Sequence, residues 1–201
     1  MTLVQPRAEI VRAFYRFMKA NYATSLIDKR NAGEMQLVGG LLGQLGIVDK
    51  NAFLQKYATT IGHRLYVPFD PGVPTNDWDL WGQITVCVHE HQHVVQYDAL
   101  GPIRFAWQYI TSSAARARFE AEAYRCQLEM HWWRTRTILP PHELAALLRN
   151  YGVKEVDVGV AETAHSVSAE SVRQGAIINP TSRVAIGWLE TYAPYLKAPV
   201  N

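Results

Sequence analysis

His89, Glu90 and His93 constrain this chain more than any other residues. They read H-E-x-x-H, two imidazoles four residues apart with a carboxylate beside the first. On a helix, positions i and i+4 share a face, so both rings can reach one metal ion. Zinc takes neutral imidazole nitrogen at roughly 2 Å, and two such ligands on one helical turn are half of a tetrahedral site. Glu90 is turned about 100° from His89, close enough to address a water on the metal without ligating. The flanks suit this helix. Asp77 or Asp79 can cap its start, it runs from about Leu80 to Ala99, and Gly101-Pro102 stops it. Upstream, His63–Phe69 carries β-branched and aromatic residues and reads as a strand. Pro68 cannot donate to a ladder, so that strand is expected at a sheet edge or to end there. Asp70–Asp79 is dense in Pro, Gly, Asn and Asp and must be loop.

The remaining chain is mostly helical. Pro6–Tyr22 has a core stripe of Ile10, Phe14, Phe17 and Met18. Glu34–Leu45 is a second helix, whose Gly39, Gly40 and Gly43 lack the Lys-Ser/Thr of a phosphate loop and instead suit close helix packing. Asp49 looks like the cap of a helix running to about Ala58. Further helices are expected at Ile103–Tyr109, Ser113–Thr137, His142–Tyr151, Ala161–Gly175 and Thr181–Tyr192. The predicted fold is α+β, mainly α, with a small mixed sheet next to the helix of the histidines. With 201 residues and no linker or repeat, residues 1–201 form a single domain, its metal-site core at about 63–137.

Composition narrows the partners. With 48% hydrophobic and 19% charged residues, the chain can bury a core. A net charge of +2 gives no electrostatic case for nucleic acid or an acidic membrane. Arg116, Arg118 and Arg125, then Arg134 and Arg136, fall at helical spacing and read as a solvated face. Charged residues Arg7, Glu9, Arg12 and Arg16 interrupt the N-terminus before a signal-peptide core can form. No apolar run approaches the ~18–20 residues of a membrane span. A cytoplasmic location is therefore the expectation, and Cys87 and Cys126 read as buried thiols rather than a disulfide framework.

A catalytic zinc needs a third protein ligand from another element. The segment Phe119-Glu120-Ala121-Glu122-Ala123-Tyr124 is the natural source, and its two carboxylates lie about 200° apart on a helix, so only one faces the metal. Here the chain resembles the gluzincins, H-E-x-x-H metallopeptidases whose third ligand is a Glu on a later helix. It looks like compact zincin-like proteins with H-E-x-x-H-x-x-Q followed by [FY]-E-x-E-A-Y; the match spans roughly Arg64 to Gln127. That resemblance favours Glu120 over Glu122 and implies a zincin-like fold holding one Zn²⁺ on His89, His93 and Glu120. Where some of these families carry Asp four residues after the ligand Glu, this chain has Tyr124, whose hydroxyl could bond a ligand histidine.

Other polar residues bear on this site. Gln96, one turn beyond His93, either lines it or bonds a ligand's outer nitrogen. His91 points away from it, His131 lies too far along its helix to ligate, and His63, His142 and His165 have no metal-like spacing. Tyr97, Tyr124 and His165 are candidates for stabilising an oxyanion. The implied activity is peptide-bond hydrolysis with Glu90 as general base. Strand Arg64–Phe69 would bind an extended peptide along its open edge. The substrate would be a peptide or protein, a cell-wall peptide among them. The competing expectation is a non-catalytic zincin-like scaffold serving as a subunit of a larger assembly.

Overall fold

A computed structural model describes residues 3–44 and 50–198. Nine α-helices and a three-stranded sheet are present among them, so the fold is α+β and mainly α. The chain opens with α1 (Ala8–Asn21) and β1 (Ser25–Asp28), followed by α2 (Gly33–Gln44), α3 (Lys50–Lys56), β2 (Thr59–Ile61) and β3 (Arg64–Val67). Then come α4 (Leu80–Leu100), α5 (Pro102–Thr111), α6 (Ser113–Thr135), α7 (Pro141–Leu147), α8 (Glu155–Arg173) and α9 (Pro180–Tyr192). The expected cap Asp49 and the expected helix end Leu45 lie outside the described residues. Helix α8 begins earlier than its Ala161 estimate, because the first turn holds Glu155 and Asp157, which suit a helix N-terminus.

Helix α4 is the centre of the molecule. Every residue from Val86 to Val94 is buried, on all sides of the helix. Such a helix must be enclosed, and α1, α5, α6, α9 and β2 all pack on it. Its ends are set locally. The Asp79 carboxylate accepts a hydrogen bond from the Gly82 amide at 2.6 Å, and Gly101 leaves the helix at φ 76°.

The sheet order is β1-β3-β2, with β1 parallel and β2 antiparallel to β3. Leu26 pairs with Leu65, and Thr60 also pairs with Leu65 from the other side. Gly62, at φ 58°, shares the two-residue turn that joins β2 to β3. The strand expected at an edge, or to end at Pro68, is the middle one and does end there. Pro68 does not prevent this because the strand ends at Val67, so its missing N–H costs no ladder bond. The edge nearest α4 belongs to β2, which sequence periodicity did not indicate.

Three apolar clusters hold the elements. The largest joins α1, α4, α6 and α9 through residues such as Phe14, Met18, Ile84, Met130 and Leu189. A second packs α7 and α8 on α6 through Leu128, Leu144, Leu148 and Val158. A third sets α2 and α3 on the sheet through Met35, Phe53 and Tyr66. The expected close packing of α2 occurs at Gly39, where a Cβ would meet the Phe53 ring at 2.9 Å, and not at Gly40.

The arginine face is a correction. Arg116 is buried and donates to the carbonyls of Tyr109, Ile110 and Gly152. Arg134 is buried too, over the Trp81 ring and bonded to the Val4 carbonyl. Arg125 reaches Glu129 and Ser168, whereas Arg118 remains exposed. Helix α6 is packed on several sides, so these guanidinium groups serve as ties between elements rather than as a wet surface. Among the described residues no helix is long and apolar enough to cross a membrane.

Candidate metal centre

Helices α4 and α6 bring His89, His93 and Glu120 together, all buried. His89 Nε2 and His93 Nε2 are 3.2 Å apart. Glu120 Oε2 lies 3.5 Å from His89 Nε2, and Oε1 lies 3.6 Å from His93 Nε2. A tetrahedral ion with bonds of roughly 2.0–2.1 Å separates its ligands by about 3.3–3.4 Å. The donor triangle is close to that edge length. Glu120 Oε2 is buried and has no hydrogen-bond donor among the described residues, an arrangement that otherwise costs stability. A His89–His93–Glu120 group of this kind can hold a metal ion.

The hydrogen bonds around it fix which atoms face the centre. Gln96 Nε2 donates to the Phe119 carbonyl at 2.9 Å and to Glu122 Oε2 at 2.8 Å. Both partners are acceptors, so the Gln96 amide nitrogen must lie on their side. Its Oε1 therefore faces His93 Nδ1, 2.8 Å away, and His93 must donate there. With Nδ1 committed to Gln96, Nε2 is the nitrogen His93 turns toward the centre, where it can give its lone pair to a metal ion or carry a proton toward Glu120. Thus Glu122 does not join the donors; it orients Gln96. On the other ring, His89 Nδ1 lies 3.4 Å from the Gln127 side-chain amide.

Electrostatics binds the three groups. Burial opposes ionisation of Glu120, but the two imidazoles against it, His93 first, outweigh that burial and hold the carboxyl well below its usual range. Burial likewise disfavours protonation of His93, yet attraction to Glu120 raises its value to about 9. Tyr109 donates its hydroxyl to Glu120 Oε1 at 2.8 Å. Burial first, and the Glu120 charge second, push that phenol's pKa well above 10.0, so it stays a donor.

Glu90 is buried on the same helix and lines the cavity of about 300 Å³ onto which His89, His93 and Glu120 open. The Thr60 hydroxyl of β2 donates to Glu90 Oε2 at 2.7 Å, which steadies the carboxylate. Behind β2 sits the fully buried Lys29, whose ammonium bonds the Tyr57 carbonyl and Thr59 Oγ1 and lies 3.6 Å from the centre of the Phe53 ring. Burial drops its pKa to about 7, against the opposing pull of Glu90.

The other expected residues disperse. Tyr97 lines the cavity and packs edge-on against His63. Tyr124 sets its ring against His89, centroids 4.9 Å apart, while its hydroxyl faces Tyr151 at 3.4 Å. It therefore supports His89 by packing and not by the expected hydrogen bond. His165 lies on α8 along a separate groove of about 490 Å³ between α6 and α8, which none of the three donors lines. It cannot stabilise an oxyanion at this centre. His91 is buried, with Nδ1 donating to the Cys87 carbonyl and Nε2 accepting from Thr24. His63 bridges the Tyr22 carbonyl and Asp98, and His131 meets Thr137. Sequence reasoning missed Thr60, Tyr109 and Gln127. None has a local signal, because each reaches the centre through packing.

No family model matches the chain, no curated protein shows significant similarity to it, and no solved structure matches it.

Proposed function

We propose that the protein is a zinc-dependent metallopeptidase of gluzincin type, with His89, His93 and Glu120 as the ligands and Glu90 as the general base. The observation that carries this is the joint placement of three buried donors and a fourth, separately anchored carboxylate on one cavity. A purely structural zinc is usually closed by four protein ligands, whereas a catalytic one keeps three and an open position. When bound, zinc supplies Lewis acidity, polarising the scissile carbonyl and lowering the pKa of a water toward ~7.

The chain's own residues supply the rest. Glu90 takes a proton from the attacking water as the new C–O bond forms, then gives it to the departing amine as the C–N bond breaks. Thr60 holds Glu90 Oε2 throughout. Tyr109, kept protonated by burial and by Glu120, gives its single O–H to Glu120 Oε1 and so orients that ligand carboxylate. Strand β2, on the outside of the sheet and along the cavity, offers main-chain groups to an extended peptide. It takes the role that sequence reasoning gave to Arg64–Phe69.

The test is Glu90→Gln, assayed on a broad set of unstructured peptides. Its metal content should equal that of the wild type while cleavage falls by roughly 10²–10⁴. Undiminished cleavage by this variant would remove Glu90 from the mechanism. A wild type that holds metal and cuts nothing would favour the scaffold role in a larger assembly.

A further inference from the structure

Strand β2 forms the cavity wall beside Glu90, and the sheet alone does little to fix it there. It has three residues, lies at an edge, and pairs only with residues 64–66 of β3. Successive side chains leave a strand on opposite faces, and both threonines of β2 are engaged. Thr60 gives its hydroxyl to Glu90 Oε2 at 2.7 Å. Its neighbour Thr59 is held by Lys29, whose Nζ donates to Thr59 Oγ1 at 2.6 Å and to the Tyr57 carbonyl at 3.0 Å. The Thr59 hydroxyl in turn donates to the Ala58 carbonyl at 2.8 Å. One amino group therefore fixes three consecutive residues, 57–59, directly ahead of Thr60.

Lys29 is fully buried in the turn after β1 and is not one of the residues lining the cavity. It can reach the centre only through others. A cationic side chain is costly to bury, and this one is compensated by two oxygens and the Phe53 ring, whose centre is 3.6 Å away. An apolar side chain would fill the same space at lower cost, but it could not bind residues 57 and 59. Burial brings the pKa of Lys29 to about 7, and the ammonium and the neutral amine both have N–H bonds enough for these two oxygens. We infer that Lys29 is a positioning residue for the general base: by holding Tyr57 and Thr59 it sets where β2 presents the Thr60 hydroxyl to Glu90. This rests on the peptidase proposal for the part played by Glu90. Displacing Thr60 would let the carboxylate turn, and a misplacement of about 1 Å at a reacting group costs roughly 10²-fold in rate.

Hydrogen exchange reads this tether without turnover. In Lys29→Met the amides of residues 57–61 should exchange about tenfold or more faster than in the wild type, with α4 and α6 unchanged. In peptide cleavage the same variant should lower kcat by roughly 10–100-fold, while KM and metal content stay as in the wild type. Adding Thr60→Val should lower kcat no further, since both changes release the same carboxylate. Thr59→Val removes one of the two hydrogen bonds and leaves Lys29 in place, so it should act in the same direction and more weakly. It decides the question if Lys29→Met does not fold. Unchanged exchange, or losses in kcat that multiply across Lys29→Met and Thr60→Val, would overturn the inference. Faster exchange in β2 with a wild type that cleaves no peptide would uphold the tether and defeat the peptidase proposal. Cleavage whose kcat ignores Lys29→Met would do the reverse.

Discussion

Gln96 decides which nitrogen of His93 faces Glu120. Its amide nitrogen is committed to Phe119 and Glu122, so its oxygen must hold His93 Nδ1–H. Gln96→Ala should therefore weaken metal affinity by roughly 10–100-fold, measured by competition with a chromophoric chelator. Unchanged affinity would mean that His93 needs no such orientation. Tyr109→Phe removes one hydroxyl from Glu120 and the cavity. Metal affinity should fall by roughly 10–100-fold in the same chelator competition, and an unchanged affinity would show that Glu120 needs no such hydrogen bond. At this scale the sequence revealed what lies within one helical turn: the i,i+4 histidines, Glu90 between them and Gln96 one turn later. Thr60 and Tyr109 reach the same centre from β2 and α5, and no spacing rule links those positions to α4.

At the scale of elements, punctuation was readable and pairing was not. Asp79 ends a loop and caps α4, as its position before an apolar run suggested. Asp79→Ala should cost about 1 kcal/mol in chemical denaturation, and no loss would show that the cap is dispensable. Gly72 sits in the same loop at φ 84°, where a Cβ would come within 2.6 Å of the Ala8 carbonyl oxygen. Gly72→Ala should lower stability by about 1–3 kcal/mol through the loop's fit against α1; a neutral result would contradict that close approach. Strands β1 and β2 have only four and three residues, too few for alternation to stand out. Their partner β3 was visible as a strand, but its central place depends on β1, which is distant in sequence. The same limit hid the buried arginines, since helical spacing does not reveal how many neighbours a helix has.

Across the whole molecule, α6 separates the candidate metal centre toward α4 from the groove toward α8. His165 is buried at the second, and burial lowers its pKa to about 4. The folded state thus binds fewer protons than the unfolded chain between about pH 6.5 and 4. The His165 contribution should be flat above that window and should lower stability as pH drops through it, by up to about 3 kcal/mol at ~1.4 kcal/mol per pH unit. Denaturation of His165→Gln across this range should give a shallower decline, and an identical decline would place the proton uptake elsewhere. The most direct test of the central claim is elemental analysis of the purified wild type, His93→Ala and Glu120→Ala. Close to one zinc per chain in the wild type and loss of it in both folded variants is the predicted result. Zinc retained stoichiometrically by either variant, or a wild type that takes up none, would contradict it.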